Sequence, residues 1–415
     1  MREAGNEDPI EGNYDFDKMF AALRNEGVGS PDVRGGKTGF TLFGGEPLLL
    51  PLKDLERMFS WGKGLGVPIS IQTNASLITD RHLDLFVQFG VSVGVSIDGP
   101  KELNRLRASE TIEATDRTTD LSNQAFLKLL ARGIGASLIV TLSTVNAGAD
   151  VIKYLSGWIV ELYHRGLRHV NFHLLEVDGD IAQYVLPPEE QIAALRKLRS
   201  TVQSCAGLRA MPFDSMRALL IGEDEQNVEC IWHACDPYTT NAVRGIDGQG
   251  NRGNCGRTNK DGVPYVKGSV AGYERQLALY LTPQAHGGCQ ECRFFFACKG
   301  ECPGTGEGSE WRSRTTHCAS LMAIFADLEQ ELIGEGKTPL SSSLMRPAIE
   351  AALLRSWSSG QNVSIGAALR QGATGSGIVP HGDVPHGDVP HGDHTDAERP
   401  VRTHGDHGDA EKARS

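Results

Sequence analysis

Cysteine is missing from the first 204 residues of this 415-residue chain. No thiolate chemistry can therefore originate there, and all nine cysteines fall between Cys205 and Cys318. Long apolar runs are also missing; none approaches the roughly 20 residues that span a bilayer. The opening MREAGNEDPI lacks the apolar core of a signal peptide. Basic excess is absent too. The formal net charge is −11, which argues against general nucleic-acid binding and its basic patches. These absences place the protein in the cytoplasm, with neither membrane nor nucleic acid as a partner. In that reducing compartment, clustered cysteines are metal ligands rather than disulfides.

The composition is that of a globular chain, 40% apolar and 22% charged, with room for two or three domains. Eight of the nine cysteines lie between 230 and 318. They read Cys230-x4-Cys235-x19-Cys255, then Cys289-x2-Cys292-x5-Cys298-x3-Cys302, then Cys318. Eight thiolates make two sets of four, the number that two cubane iron–sulfur clusters need. Zinc is the alternative, since Cys-x2-Cys pairs are common in zinc sites. The tightness of the central run and the interleaving of the segments weigh against it. Cys205 stands apart as a small buried hydrophobe.

Residues 1–184 alternate helical and strand-like patterns. Asp15 suits the cap of a short helix carrying Phe16, Met19, Phe20 and Leu23. Gly39–Phe43, Ile69–Gln72, Val91–Ile97, Ser137–Ser143 and His169–Leu175 read as strands, apolar on both faces. Helices are expected after Pro51, from Asp80, from Ser122 and over Ala149–His164, with the polar stretch Lys101–Asp120 as an interruption. Strands spaced by helices imply parallel pairing with right-handed crossovers. Residues 185–335 form a second, small unit rich in cysteine and glycine, closing on a helix from Cys318. Residues 336–371 hold one helix, over Met345–Arg355. Residues 372–415 contain VPHGD three times in tandem and two further His-Gly-Asp units, a composition that predicts disorder.

In such α/β folds, chemistry sits where strands end. The first strand runs into Gly44-Gly45-Glu46-Pro47, where two glycines let main chain approach a ligand and Glu46 offers a carboxylate to an ammonium group. The next strand ends in Gln72-Thr73-Asn74 and the third in Ser96-Ile97-Asp98. Three successive strand ends of this kind suggest a ring of binding groups at one barrel mouth. Loop capping is the competing role for Asn74 and Asp98.

These segments resemble radical SAM enzymes with a C-terminal SPASM domain. The resemblance covers residues 10–335 and rests on Phe43–Leu49 (FGGEPLL), Gln72–Ala75 (QTNA), Val95–Pro100 (VSIDGP), Cys235-x14-Gly250-x4-Cys255, and the cysteine run to Cys318. It implies a partial radical SAM (β/α) barrel followed by a small α+β SPASM domain, the helical segment and the tail. It implies S-adenosylmethionine against Gly44, Gly45 and Glu46, with Gln72, Asn74, Ser96 and Asp98 as further contacts. It implies two auxiliary 4Fe–4S clusters, one on Cys230, Cys235, Cys255 and Cys302, the other on Cys289, Cys292, Cys298 and Cys318.

The departures matter equally. The family's Cys-x3-Cys-x2-Cys loop, which binds the cofactor-cleaving 4Fe–4S cluster, has no counterpart here, as if an internal methionine had been taken for the start or the chain were truncated. Sulfatase-maturing relatives carry an aspartate where Gly256 stands, which argues against that activity. The implied function is an oxidoreductase that uses a 5′-deoxyadenosyl radical to modify a ribosomally made peptide, by crosslink formation in particular, supplied by a reducing electron-donor protein. The His-Gly-Asp units could be its own fused substrate, a low-complexity expansion, or a loose metal-binding tract of six histidines. The alternative class is a non-catalytic electron-transfer or peptide-binding module.

Overall fold

The computed structural model describes residues 14–32, 35–107, 111–176, 179–225, 229–240, 242–258, 268 and 270–373. The His-Gly-Asp repeats lie outside them. Six strands form one parallel sheet in sequential order: β1 (Phe40–Leu42), β2 (Ile69–Thr73), β3 (Ser92–Ser96), β4 (Ala136–Leu142), β5 (His169–Leu174) and β6 (Arg209–Met211). Sequential parallel order with helices between the strands is that of an open (β/α) barrel. Among the described residues β1 and β6 do not pair with each other. No described helix is long and apolar enough to cross a membrane.

The expectation that the strands are apolar on both faces does not hold. Burial alternates along β2, where Ile69, Ile71 and Thr73 are buried while Ser70 is half-buried and Gln72 exposed. The same alternation buries Val93 and Val95 in β3, Leu138 and Val140 in β4, and Val170 and Phe172 in β5. Residues of the other set, including Gly94, Ser137, Thr141, Asn171 and His173, are half-buried. One face is thus packed into the core, and the other, the concave face of the open barrel, is largely polar. The register sets Gln72 opposite Gly94 and Thr141 opposite His173 across it.

The polar stretch after residue 101 is also not the interruption it resembles. A helix spans Ile112–Ala131 and is capped by Thr111 rather than Ser122. Its hydroxyls turn inward on the helix: those of Thr115, Thr118, Thr119 and Ser122 each donate to a carbonyl four residues back, at 2.8–2.9 Å. Back-bonding of this kind satisfies polar groups within a helix and lets them be buried.

The sheet also continues past residue 184, since β6 pairs with β5 after the helix Pro188–Gln203. That helix packs against the long helix Cys318–Gly334, with Arg196 bridging to Asp327 at 2.7 Å and Arg199 to Glu331. A short hairpin, Gly245–Ile246 with Arg252–Gly253, turns back onto the N-terminal helix Phe16–Asn25. Two helices follow residue 336, Arg346–Ser358 and Ile365–Ala373, where one was expected.

Candidate functional site

The loops at the carboxyl ends of the strands are tied to one another by buried side chains. Gly44 and Gly45 follow β1 with φ of 89° and 54°, a left-handed pair that side chains rarely adopt, and a Cβ on either would meet nothing within 4 Å. The pair thus keeps main chain bare at the mouth. Glu46 turns back onto the end of β2. Its carboxylate accepts from the Thr73 hydroxyl at 2.6 Å and from the main-chain N–H of Asn74 at 2.9 Å and of Leu48 at 3.1 Å. Gln72 and Ser96 meet across the concave face, the Gln72 amide donating to the Ser96 hydroxyl at 3.4 Å.

Asn74 and Asp98 both serve their own loops. Asn74 accepts from the N–H and hydroxyl of Ser76. Asp98, which is buried, accepts from the Thr141 N–H at 2.7 Å and pairs with Arg107 at 2.8 Å. Its own N–H donates to Asn104, and the buried Asn146 amide donates to its carbonyl. The β3, β4 and 101–107 loops are joined through this one residue.

His173 lies on the concave face near the end of β5. Burial lowers its imidazole to about 3, and the cations Arg257 and Arg107 push the same way. Arg257 reaches this mouth from the cysteine-rich segment and pairs with Glu176 at 2.5 Å. Burial opposes its charge, but Cys302, Glu176 and Glu301 outweigh it. Neither His173 nor Arg257 stood out in the sequence. The available signal for Arg257 was its position two residues after Cys255.

The cysteines gather in two groups. The Cys230 thiol is pushed up to about 12, first by burial and then by Cys235 and Cys255. Its residue is open to solvent even so. Cys302 is raised by burial and, among its neighbours, by Cys235. In the second group, Cys289 rises to about 12 by burial, then through Cys292 and Cys318. Cys298 is raised well above its usual value by burial, then by Cys289, Cys318 and Cys292. Cys289, Cys292, Cys298 and Cys318 line one cavity with Phe294, Phe295, Leu321 and Phe325. The cavity is about 20 Å³, just above the ~10–15 Å³ that a single water needs.

Among the described residues, no three His, Cys, Asp or Glu side chains converge tightly enough for a single metal ion. A mononuclear site needs every sulfur about 2.3 Å from one point. Four thiols lining one recess, as Cys289, Cys292, Cys298 and Cys318 do, have the donor chemistry of an iron–sulfur cluster. Cys205 is buried in the apolar core, as expected. By contrast, no thiol stands near the barrel mouth from residues before 205, so this chain's own residues do not supply ligands for a third cluster there.

The signature glycine of the cysteine-rich segment has a geometric reason. Gly250 has φ of 81°, and a Cβ there would stand 2.9 Å from the Lys18 carbonyl oxygen. Beside it, the Asp15 N–H donates to the Gly248 carbonyl at 2.7 Å and Arg252 pairs with Glu26 at 2.8 Å. The hairpin before Cys255 is thus seated on the first helix of the barrel.

No family model matches the chain. An uncharacterized protein of Methanothermobacter thermautotrophicus is 36% identical over 119 residues, covering 28% of this chain and 43% of that protein. A serine-type anaerobic sulfatase-maturating enzyme of Bacteroides thetaiotaomicron is 41% identical over 69 residues, 16% of this chain and 17% of the enzyme. A cysteine-type enzyme of the same kind from Clostridium perfringens is 29% identical over 119 residues, 25% of this chain and 32% of the enzyme. Each match spans less than half the length of the curated relative. In three dimensions, native anSMEcpe with bound AdoMet and a peptide superposes with a TM-score of 0.55 at 17% identity, covering 77% of this chain and 89% of that one. Over these stretches the sequence, and over most of its length the fold, is similar to that of the anaerobic sulfatase-maturating enzymes, maturases of the radical SAM, SPASM type.

Proposed function

We propose that the chain is the AdoMet-binding barrel and SPASM portion of a cytoplasmic radical SAM oxidoreductase that matures a peptide. The observation that carries this is the gathering of eight cysteines, three of them buried and four half-buried, into two groups beside a polar, concave barrel face. Cys230, Cys235, Cys255 and Cys302 would hold one 4Fe–4S cluster; Cys289, Cys292, Cys298 and Cys318 would hold the other. When bound, such clusters supply one-electron transfer at a potential tuned by the surrounding charge and burial. The thiols of Cys230, Cys289, Cys292, Cys298, Cys302 and Cys318 are raised because burial disfavours thiolate, so metal binding must displace their protons.

The protein's part is to bind, orient and exclude water. The bare main chain at Gly44 and Gly45 admits the amino-acid end of AdoMet, and Glu46, already held by β2, presents its remaining acceptor capacity to the ammonium group. Gln72 and Ser96 face the same concavity, whereas Asn74 and Asp98 act by fixing loops around it. The substrate is a peptide, and the three-residue His-Gly-Asp units of the chain's own tail are the sharpest candidate for crosslinking. A reducing protein partner would supply electrons. Because the relatives are matched over less than half their length and Gly256 replaces the family's aspartate, the bond made is not carried over from them.

Anaerobic reconstitution with iron and sulfide tests the core reading. About eight iron and as much sulfide per chain, with broad absorption near ~400 nm, are expected; colourless protein that takes up zinc instead would refute it. Mass spectrometry of the tail, after co-expression with a version carrying the Cys-x3-Cys-x2-Cys loop, should show a loss of two hydrogens per modified unit. Unmodified units remove the fused-substrate idea. The second reading is a non-catalytic electron-transfer or peptide-binding module. It predicts loaded clusters without AdoMet cleavage even when that loop is supplied.

A further inference from the structure

Arg275 stands in the first turn of the helix Glu274–Leu281 and is buried to 1% exposure. Among the described residues no carboxylate pairs with it; its donors go to main-chain carbonyls. Nε donates to Trp311 at 2.7 Å, Nη1 to Cys235 at 3.3 Å and to Lys299 at 3.4 Å, and Nη2 to Gly300 at 3.2 Å and to Ser313 at 3.1 Å. The neighbouring Gln276 amide also donates to the Cys235 carbonyl, at 3.0 Å.

A guanidinium remains charged throughout the working pH range, and a buried charge is strongly unfavourable without a compensating one. Carbonyl dipoles solvate the cation but do not neutralise it. Among the groups whose negative charge it feels are Cys235, Cys302, Cys289 and Glu301, and it acts in turn on the buried Asp236 carboxyl. Cys235 and Cys302 belong to the first cysteine group and Cys289 to the second. The carbonyls of Lys299 and Gly300, which it also holds, lie on the short segment between Cys298 of the second group and Cys302 of the first. Both groups therefore converge on one cation.

We propose that Arg275 is the shared counter-cation of the two auxiliary clusters, making both clusters easier to reduce. The inference rests on the cluster reading above. Four thiolates leave a cluster net negative, and each electron taken up makes it more so. A fixed cation in a low-dielectric interior stabilises the reduced form more than the oxidised form. Arginine suits the position because its fork of five donors can engage five carbonyls at once, which three lysine donors cannot.

The test uses the full chain, reconstituted anaerobically without AdoMet, and reads iron, sulfide and the midpoint potential of each cluster. In Arg275→Gln, both clusters should load but become at least tenfold harder to reduce, about 59 mV each for one electron. A loaded variant with unchanged midpoints, or with only one cluster shifted, overturns the proposal. Should the glutamine variant fail to fold, Arg275→Lys decides. Retaining the charge, it should load both clusters and keep both midpoints within about threefold of the wild type in reduction equilibrium. Lost loading or a full tenfold shift in the lysine variant overturns it. Wild-type protein that takes up no iron and sulfide overturns the cluster reading itself, and this proposal with it, before any variant is compared.

Discussion

Single residues at the barrel mouth hold loops as well as any ligand. Glu46→Ala removes three hydrogen bonds to a carboxylate and leaves Thr73 and the Asn74 N–H without their acceptor. A loss of about 2–3 kcal/mol is expected, read from urea denaturation, with weaker AdoMet retention in equilibrium dialysis. Asp98→Ala goes further in kind, because it strands the Arg107 guanidinium and the Thr141 N–H; about 3 kcal/mol is expected from the same measurement. His173 provides a pH signature. Its folded value, about 3, lies below the ordinary 6.5, so the unfolded chain binds more protons between those limits. The stabilisation is therefore complete above pH 6.5 and is lost as the pH falls toward 3. His173→Gln should flatten the acid side of the stability curve. Equal denaturant-midpoint losses from pH 7 to pH 5 in variant and wild type would show that the imidazole contributes nothing.

Elements were legible where apolar spacing and caps agreed. Asp15 caps Phe16–Asn25 and accepts from the N–H groups of Asp17 and Lys18, as its position just before an apolar stripe implied. The helix Leu52–Leu65 follows Pro51 and buries Leu55, Met58 and Phe59. Legibility failed where polar side chains were buried by local bonds. Thr115 and Thr119 read as loop, and Ser122 as a helix cap, because their hydroxyls look solvent-seeking, and only the carbonyls one turn back place them inside the helix. Strand β6, three residues long, carries too little pattern to be told from a loop. Close packing between elements yields a prediction at this scale. A Cβ at Gly62 would stand 2.7 Å from the Phe40 ring and 2.9 Å from Ile69, so Gly62→Ala must push its helix off β1 and β2. About 1–3 kcal/mol of destabilisation is expected, with a lowered thermal midpoint and no change in iron content after reconstitution.

For the molecule as a whole, the cysteine-rich segment and the barrel stabilise one another. The Gly250 turn rests on the first helix, the Arg257–Glu176 pair links the first cysteine group to the end of β5, and the helix from Cys318 packs on that of Pro188–Gln203. The division of thiols into two groups predicts separable losses. Cys255→Ala should remove about four iron and leave the second site loaded, and Cys318→Ala the reverse. Iron analysis after anaerobic reconstitution distinguishes this from a single shared site, in which either change would remove everything.

Periodicity and side-chain chemistry by themselves determined the run of parallel strands, the strand-end motifs and the eight candidate thiol ligands. Those features are local, set by the alternation of apolar residues and by residue type. Only tertiary structure decided that the concave face is polar, that Asp98 and Asn74 tie loops, that Arg257 reaches the barrel mouth, and that one guanidinium stands between the two cysteine groups. Each of these depends on contacts between residues far apart in the chain, for which sequence spacing carries no distance.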